Sequence, residues 1–152
     1  VPRLRHPHPR RVRERGRAGE GPLRGREERL LRAYVWLVAA HSLAIGAALA
    51  LAPDLATRLA GFGPVEPVFF ARQAGAFHLA LGLGYLLEIR RGSVTLLLAA
   101  KGVATAFLGW SVLAGGAPWS VPVSGAADAL MALGALWLHR RARAAGRAPR
   151  AP

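Results

Sequence analysis

Four apolar stretches, each about as long as a bilayer is thick, constrain this chain more than anything else in it. They run from Ala33 to Ala52, Pro67 to Leu87, Ser93 to Ala114 and Trp119 to Leu138. A helix needs ~20 mainly apolar residues to cross ~30 Å of hydrocarbon. Lipid offers the backbone no hydrogen-bond partners, so such segments must satisfy themselves as helices. The expected fold is all-α, a four-transmembrane-helix bundle over residues 29–141.

The connections carry further signals. Pro53-Asp54 ends the first span. Leu55, Leu59 and Phe62 then repeat at helical spacing with Arg58 off their face, which predicts a short interfacial helix. Gly61, Gly63, Pro64 and Pro67 turn the chain back. Pro118 and Pro122 mark the start of the fourth span, where a helix tolerates them.

A net charge of +13 would point a soluble chain toward nucleic acid. Here the charge is segregated. Eleven of the 21 Lys and Arg residues precede Ala33 and five follow Leu138. Basic ends beside apolar spans set membrane orientation, so no nucleic-acid partner is expected; membrane lipids are. The loop between spans two and three adds Arg90 and Arg91. The loop after span one has only Asp54, Arg58 and Glu66, and that between spans three and four has no charge. This alternation follows the positive-inside rule and predicts both termini in the cytoplasm. Trp36 and Trp137 then fall near the inner interface, and Trp110 and Trp119 near the outer one. The Ala, Arg, Gly and Pro bias points to a GC-rich bacterial genome, hence to a bacterial inner membrane.

Residues 1–28 and 142–152 are basic and poor in apolar side chains, and both are expected to be disordered tails. His6 and His8 lie in the first, without other ligand types nearby to build a metal site. The chain opens on Val1 rather than Met, as a trimmed or alternatively started gene product would. A cleaved signal peptide is the rival reading of span one; the span's length and the three that follow argue against it. The chain has no cysteine, which excludes disulfides and thiolate chemistry from its own residues.

Ionisable residues inside a membrane cost several kcal/mol unless paired or hydrated. The candidates are His41, Arg72, His78, Lys101 and Asp128, with Gln73 as a neutral neighbour. At ~1.5 Å per residue, His41 and Lys101 lie ~12 Å from the inner end and His78 and Asp128 ~16 Å, so four spans contribute to one layer. Arg72 lies ~25 Å from that end and can reach the outer interface by snorkelling. Ala71, Gly75, His78, Gly82 and Tyr85 form one stripe of span two. Ser124, Gly125, Asp128, Ala132 and Ala135 form one of span four, and Lys101 shares a face with Thr105 near Gly102 and Gly109. Small residues beside a polar one mark the faces where membrane helices pack.

Two readings of the layer stand. In one, Lys101 and Asp128 form a buried ion pair that fixes helix register. In the other, the layer is a polar pocket for a lipid, a quinone or another small ligand, or part of a proton path. A third, sharper alternative is bis-His haem ligation by His41 and His78. No metal site or resident cofactor is otherwise expected. Glu88, with Arg90 and Arg91, reads as a solvated helix end. No serine has an activating context, so no catalytic residue is assigned, and whether the chain is an enzyme stays open.

A first span ending in Pro-Asp, a Leu-rich outer helix, the run from Arg72-Gln73-Ala74-Gly75 through His78 to Gly84-Tyr85, a central Lys101 and a central Asp128 together resemble the DoxX-like small four-helix bacterial membrane proteins. The resemblance covers about Leu30 to Arg141. It implies an inner-membrane bundle, in some relatives associated with redox complexes and thiosulfate or quinone chemistry. The absent cysteines separate this chain from thiol-based versions. The expected function is a non-enzymatic or accessory membrane protein with a buried polar layer; the alternative is a redox or transport component working through that layer. Homo-oligomers and a membrane redox partner fit either one.

Overall fold

The computed structural model describes residues 22–147, which form five helices and no strand. They are α1 (Pro22–Leu51), α2 (Pro53–Leu59), α3 (Phe69–Arg91), α4 (Thr95–Leu113) and α5 (Ser120–Arg147). Most of both expected tails, with His6 and His8, lies outside the described residues. Within them the tail boundaries need correction. Residues 22–28 and 142–147 are helical, because α1 and α5 continue as neighbours past the apolar spans. Glu27 pairs with Arg141 at 3.3 Å, and the Arg141 guanidinium stacks 4.7 Å over the Trp137 ring.

Helix boundaries follow proline and glycine chemistry. The residue before a proline is pushed out of the α region. Ala52 accordingly takes φ −134°, ending α1, and Pro53 opens α2 where its missing N–H costs nothing. Gly61, at φ 81°, closes that corner against Trp119. A Cβ on Gly61 would lie 2.6 Å from the Trp119 ring, so the α2–α3 and α4–α5 connections meet at one end of the bundle. At the other end Gly92 terminates α3 in the left-handed conformation, φ 66°. Its N–H bonds to the Ile89 carbonyl and that of Ser93 to the Glu88 carbonyl.

Helix α1 packs most extensively on α3 and α4 on α5, while α1–α5 contacts join the two pairs. Small residues let α1 and α3 approach backbone to backbone. A Cβ on Gly75 would fall 2.8 Å from the Gly46 carbonyl oxygen, and one on Gly82 2.7 Å from Leu43. Gly134 makes room for the Tyr34 ring, whose hydroxyl donates to the carbonyls of Leu130 (3.2 Å) and Met131 (3.4 Å). The apolar core is Val35, Val38, Ala39, Tyr85, Val94, Leu97 and Ala135.

Most large apolar side chains lie outside this core. Val103 is 71% exposed, Trp110 70% and Leu130 68%. Contiguous exposed apolar surface on this scale is what a water-soluble monomer avoids and what a lipid-facing surface requires. Three helices, α1, α4 and α5, are long and apolar enough to cross a membrane. The chain is a helical membrane protein. The expectation of four such helices is corrected at α3. Its 23 residues are long enough, but Arg72, Gln73 and His78 towards one end and Glu88, Arg90 and Arg91 at the other leave it no membrane-length stretch as apolar as those in the other three.

A candidate buried polar layer

Lys101 stands two turns into α4, and Asp128 stands at the matching height of α5. The α4–α5 contact turns both inward, to 4% and 9% exposure. The Lys101 Nζ donates to Asp128 Oδ1 at 2.5 Å. One turn along α4, Thr105 Oγ1 donates to the Lys101 carbonyl at 2.8 Å, so this polar group needs no partner from outside its own helix. Both side chains of the pair are largely shielded, the Lys101 one more than the Asp128 one. Each depends on the other to offset the desolvation of a charged group in an apolar surrounding. An ammonium has three donors and a carboxylate two oxygens, so the pair keeps hydrogen-bonding capacity beyond its mutual contact.

Helix α3 supplies the flank of the layer. Tyr85 is 1% exposed and lies within electrostatic reach of Asp128. His78, half-buried two turns away, lies within reach of Lys101, Asp128 and His41. Its Nδ1 is buried and finds no hydrogen-bond partner among the described residues. The same is true of Ser42 Oγ on α1, in a side chain 1% exposed. Ser42 sits in the stretch of α1, from Ala39 to Ala50, that lies directly against Gly75, Leu79 and Gly82 of α3.

Of the six residues singled out from the sequence, Lys101 and Asp128 are in contact, and His78 lies within electrostatic reach of both. His41 is exposed, so the two imidazoles do not share one buried site. Arg72 and Gln73 are exposed as well. Arg72 lines a shallow cleft with Asp54 and Arg58 of α2, at the end of the bundle away from Gly92. Gly102 and Gly109 also depart from expectation. A Cβ on either would meet nothing within 4 Å, so the packed face of α4 runs through Lys101 and Thr105 without them.

Two residues had no expected role, Ser42 and Tyr34, and one, Glu88, had a different one. Ser42 lies on the same small-residue face as Ala39 and Gly46, a signal that was available. Tyr34 gave none, because its acceptors are carbonyls of a helix 96 and 97 residues away. Glu88 is no solvated helix end. It is half-buried, and its carboxylate accepts from Ser93 Oγ (3.0 Å) and from the backbone N–H groups of Leu96 (2.8 Å) and Leu97 (3.1 Å). Glu88 thus caps the start of α4 from the end of α3.

No protein-family model matches the chain, and neither the curated proteins nor the solved structures contain a match to it.

Proposed function

We propose that this chain is an accessory, non-enzymatic membrane protein whose four long helices all cross the bilayer, with the Lys101–Asp128 pair holding α4 and α5 in register. The observation that carries the reading is that pair, buried between two helices whose outward faces are apolar. In lipid, association between helices has no hydrophobic driving force, so small residues and polar contacts decide which faces meet. The Gly46, Gly75 and Gly82 seam does this for α1 and α3, and the ion pair does it for α4 and α5. The fourth crossing by α3 is supported by its length, by its glycine-tight seat against α1 and by the place of Arg72, Gln73, Arg90 and Arg91 near its ends. Segregated basic charge supports cytoplasmic termini in a bacterial inner membrane. The DoxX-like resemblance agrees with this reading and rests on the quoted residues alone.

The test is a double-mutant cycle on stability in detergent. Lys101→Ala and Asp128→Ala each leave a buried charge unpaired and should lose ~3–5 kcal/mol. Lys101→Ala with Asp128→Ala should recover part of that loss. Independent, additive effects would remove the pair from this role.

A second reading is favoured by His78 Nδ1, a buried polar atom without a partner within electrostatic reach of a charge pair with spare donors and acceptors, and by Ser42 Oγ, a second such atom on α1. Buried polar groups are ordinarily satisfied. In this reading the chain is a redox or transport component that binds a quinone, a haem or another small polar-headed ligand in the layer. An absorption spectrum and a quinone extraction of mildly purified protein separate the two. A stoichiometric quinone, or a Soret band lost in His78→Ala, selects the second reading; bulk lipid alone selects the first.

A further inference from the structure

The end of the bundle that carries Gly92 contains a cleft of about 430 Å³. It opens where α1 and α5 emerge from their apolar stretches, beside the α3–α4 turn. Its walls are basic. Arg32 comes from α1, and Arg143 and Arg147 come from α5, where His139, one turn before Arg143, is held towards its neutral form by burial and by that arginine. Glu28, already engaged in an interaction of its own, is the one acid in the lining. The floor is apolar, with Val35 1% and Val94 4% exposed. Ala142 and Gly146, each one residue before an arginine of the wall, also line it.

Two neighbouring sources of positive charge are engaged elsewhere. Arg141, on the adjoining face of α5, is spent on Glu27 and Trp137. The first-turn N–H groups of α4 at Leu96 and Leu97 are taken by Glu88, so the positive character of the cleft comes from side chains and not from a free helix terminus. Three guanidiniums and an imidazole are thus gathered around a small apolar-floored cavity with one carboxylate among them. Guanidinium groups recognise phosphate through paired N–H donors.

We propose that this cleft binds the phosphate of an anionic membrane lipid, with Arg32 and Arg143 as its main donors from opposite walls and the Val35–Val94 floor seating the start of the acyl region. The position selects lipid over a soluble anion. The cleft lies at the level where the spans end, so a headgroup reaches it while its chains stay in hydrocarbon, and a free phosphate has no use for the apolar floor. Basic pockets between helices on the cytoplasmic side are a recognised form of lipid-headgroup site. The inference rests on the membrane reading given above.

The experiment uses the full chain in nanodiscs of phosphatidylcholine alone, then with phosphatidylglycerol or cardiolipin added. Lipid retained after release into neutral detergent is measured by native mass spectrometry. The wild type should keep phosphatidylglycerol or cardiolipin in at least tenfold preference to phosphatidylcholine. Arg32→Gln with Arg143→Gln should lower that preference severalfold. Arg29→Gln with Arg140→Gln removes the same charge from the same end but outside the cleft, and should leave it intact. Equal losses in the two double variants would mean diffuse surface attraction and overturn the site. Displacement of the retained lipid by millimolar inorganic phosphate would make the occupant a soluble anion and overturn the lipid assignment. Failure to enter phosphatidylcholine nanodiscs at all would instead defeat the membrane reading, and the site with it.

Discussion

Single residues in this protein do their work by closing hydrogen-bond accounts that neither lipid nor the local helix can close. Glu88 is the clearest instance. Its carboxylate satisfies two backbone N–H groups and one hydroxyl at the start of α4, a helix with no side-chain cap from its own N-cap residue, Val94. Glu88→Ala should therefore lower stability by ~1–3 kcal/mol, the range for hydrogen bonds to a charged acceptor and the donors they leave unmet. Glu88→Gln, which keeps one acceptor oxygen, should lose about half as much. Tyr34→Phe removes only two long bonds from one hydroxyl to carbonyls already used within α5, and should cost about 1 kcal/mol or less. Denaturation of the three variants in one detergent orders them; a Tyr34→Phe loss exceeding that of Glu88→Ala would invert this assignment. Lys101 and Asp128 were legible in the sequence because each is a lone charge in an apolar run, and a lone charge in lipid demands a partner. Glu88 was not, because it precedes Arg90 and Arg91 and its true partners lie five to nine residues ahead, across a turn whose geometry Gly92 sets.

Among the elements, the two helix pairs are held by different means. The α1–α3 seam depends on backbone approach. A side chain at Gly75 would strike backbone, the Ala50 nitrogen at 2.7 Å and the Gly46 oxygen at 2.8 Å, neither of which can move without its helix. A side chain at Gly82 would strike first the Leu43 side chain, which has other rotamers. Gly75→Ala should consequently be the more damaging, by ~1–3 kcal/mol, the range for overpacking a close contact, and Gly82→Ala the milder. Gly102→Ala and Gly109→Ala face open space and should be neutral or stabilising by up to ~1 kcal/mol, the helix-propensity difference between glycine and alanine. Thermal stability of the four variants in detergent checks the order. The helix ends at Pro53 and Pro118 were readable because proline acts on the chain locally, whereas the outer ends of α1 and α5, which run past their apolar spans, were not. Which glycines lie in a seam was only half readable. The Gly75–Gly82 stripe repeats at helical spacing beside His78, whereas Gly102 and Gly109 carry the same signal on a face that packs against nothing.

For the whole molecule the open quantity is how many times the chain crosses the membrane. Helices α1, α4 and α5 have the length and hydropathy to cross, and α3 has the length alone. A sum of hydropathies treats every side chain of α3 as if it faced lipid. In the folded bundle Ala71, Gly75, Gly82 and Tyr85 are buried, His78 is half-buried, and Arg72 and Arg90 lie near the ends, where long side chains reach the interface. The polar content that lowers the sum is thus spent at the two edges and on the inward face. If α3 crosses, the two ends of the bundle lie on opposite sides of the membrane. The Gly92 end, carrying the basic residues, would then be cytoplasmic. The chain has no cysteine, so single cysteines report the arrangement without background. Gly63→Cys lies in open space in the α2–α3 connection, and Ala117→Cys precedes α5; both should react with a membrane-impermeant maleimide added to intact spheroplasts. Arg91→Cys, at the end of α3, should react only after the membrane is opened. Reaction of Gly63→Cys and Arg91→Cys from the same side would show that α3 does not cross. With α4 crossing, as its length and composition allow, Ala117→Cys would then lie opposite both, and three crossings would place the two ends of the chain on opposite sides of the bilayer. The opposite-side pattern leaves four crossings, an even number, and both ends of the chain on the side that holds Arg91.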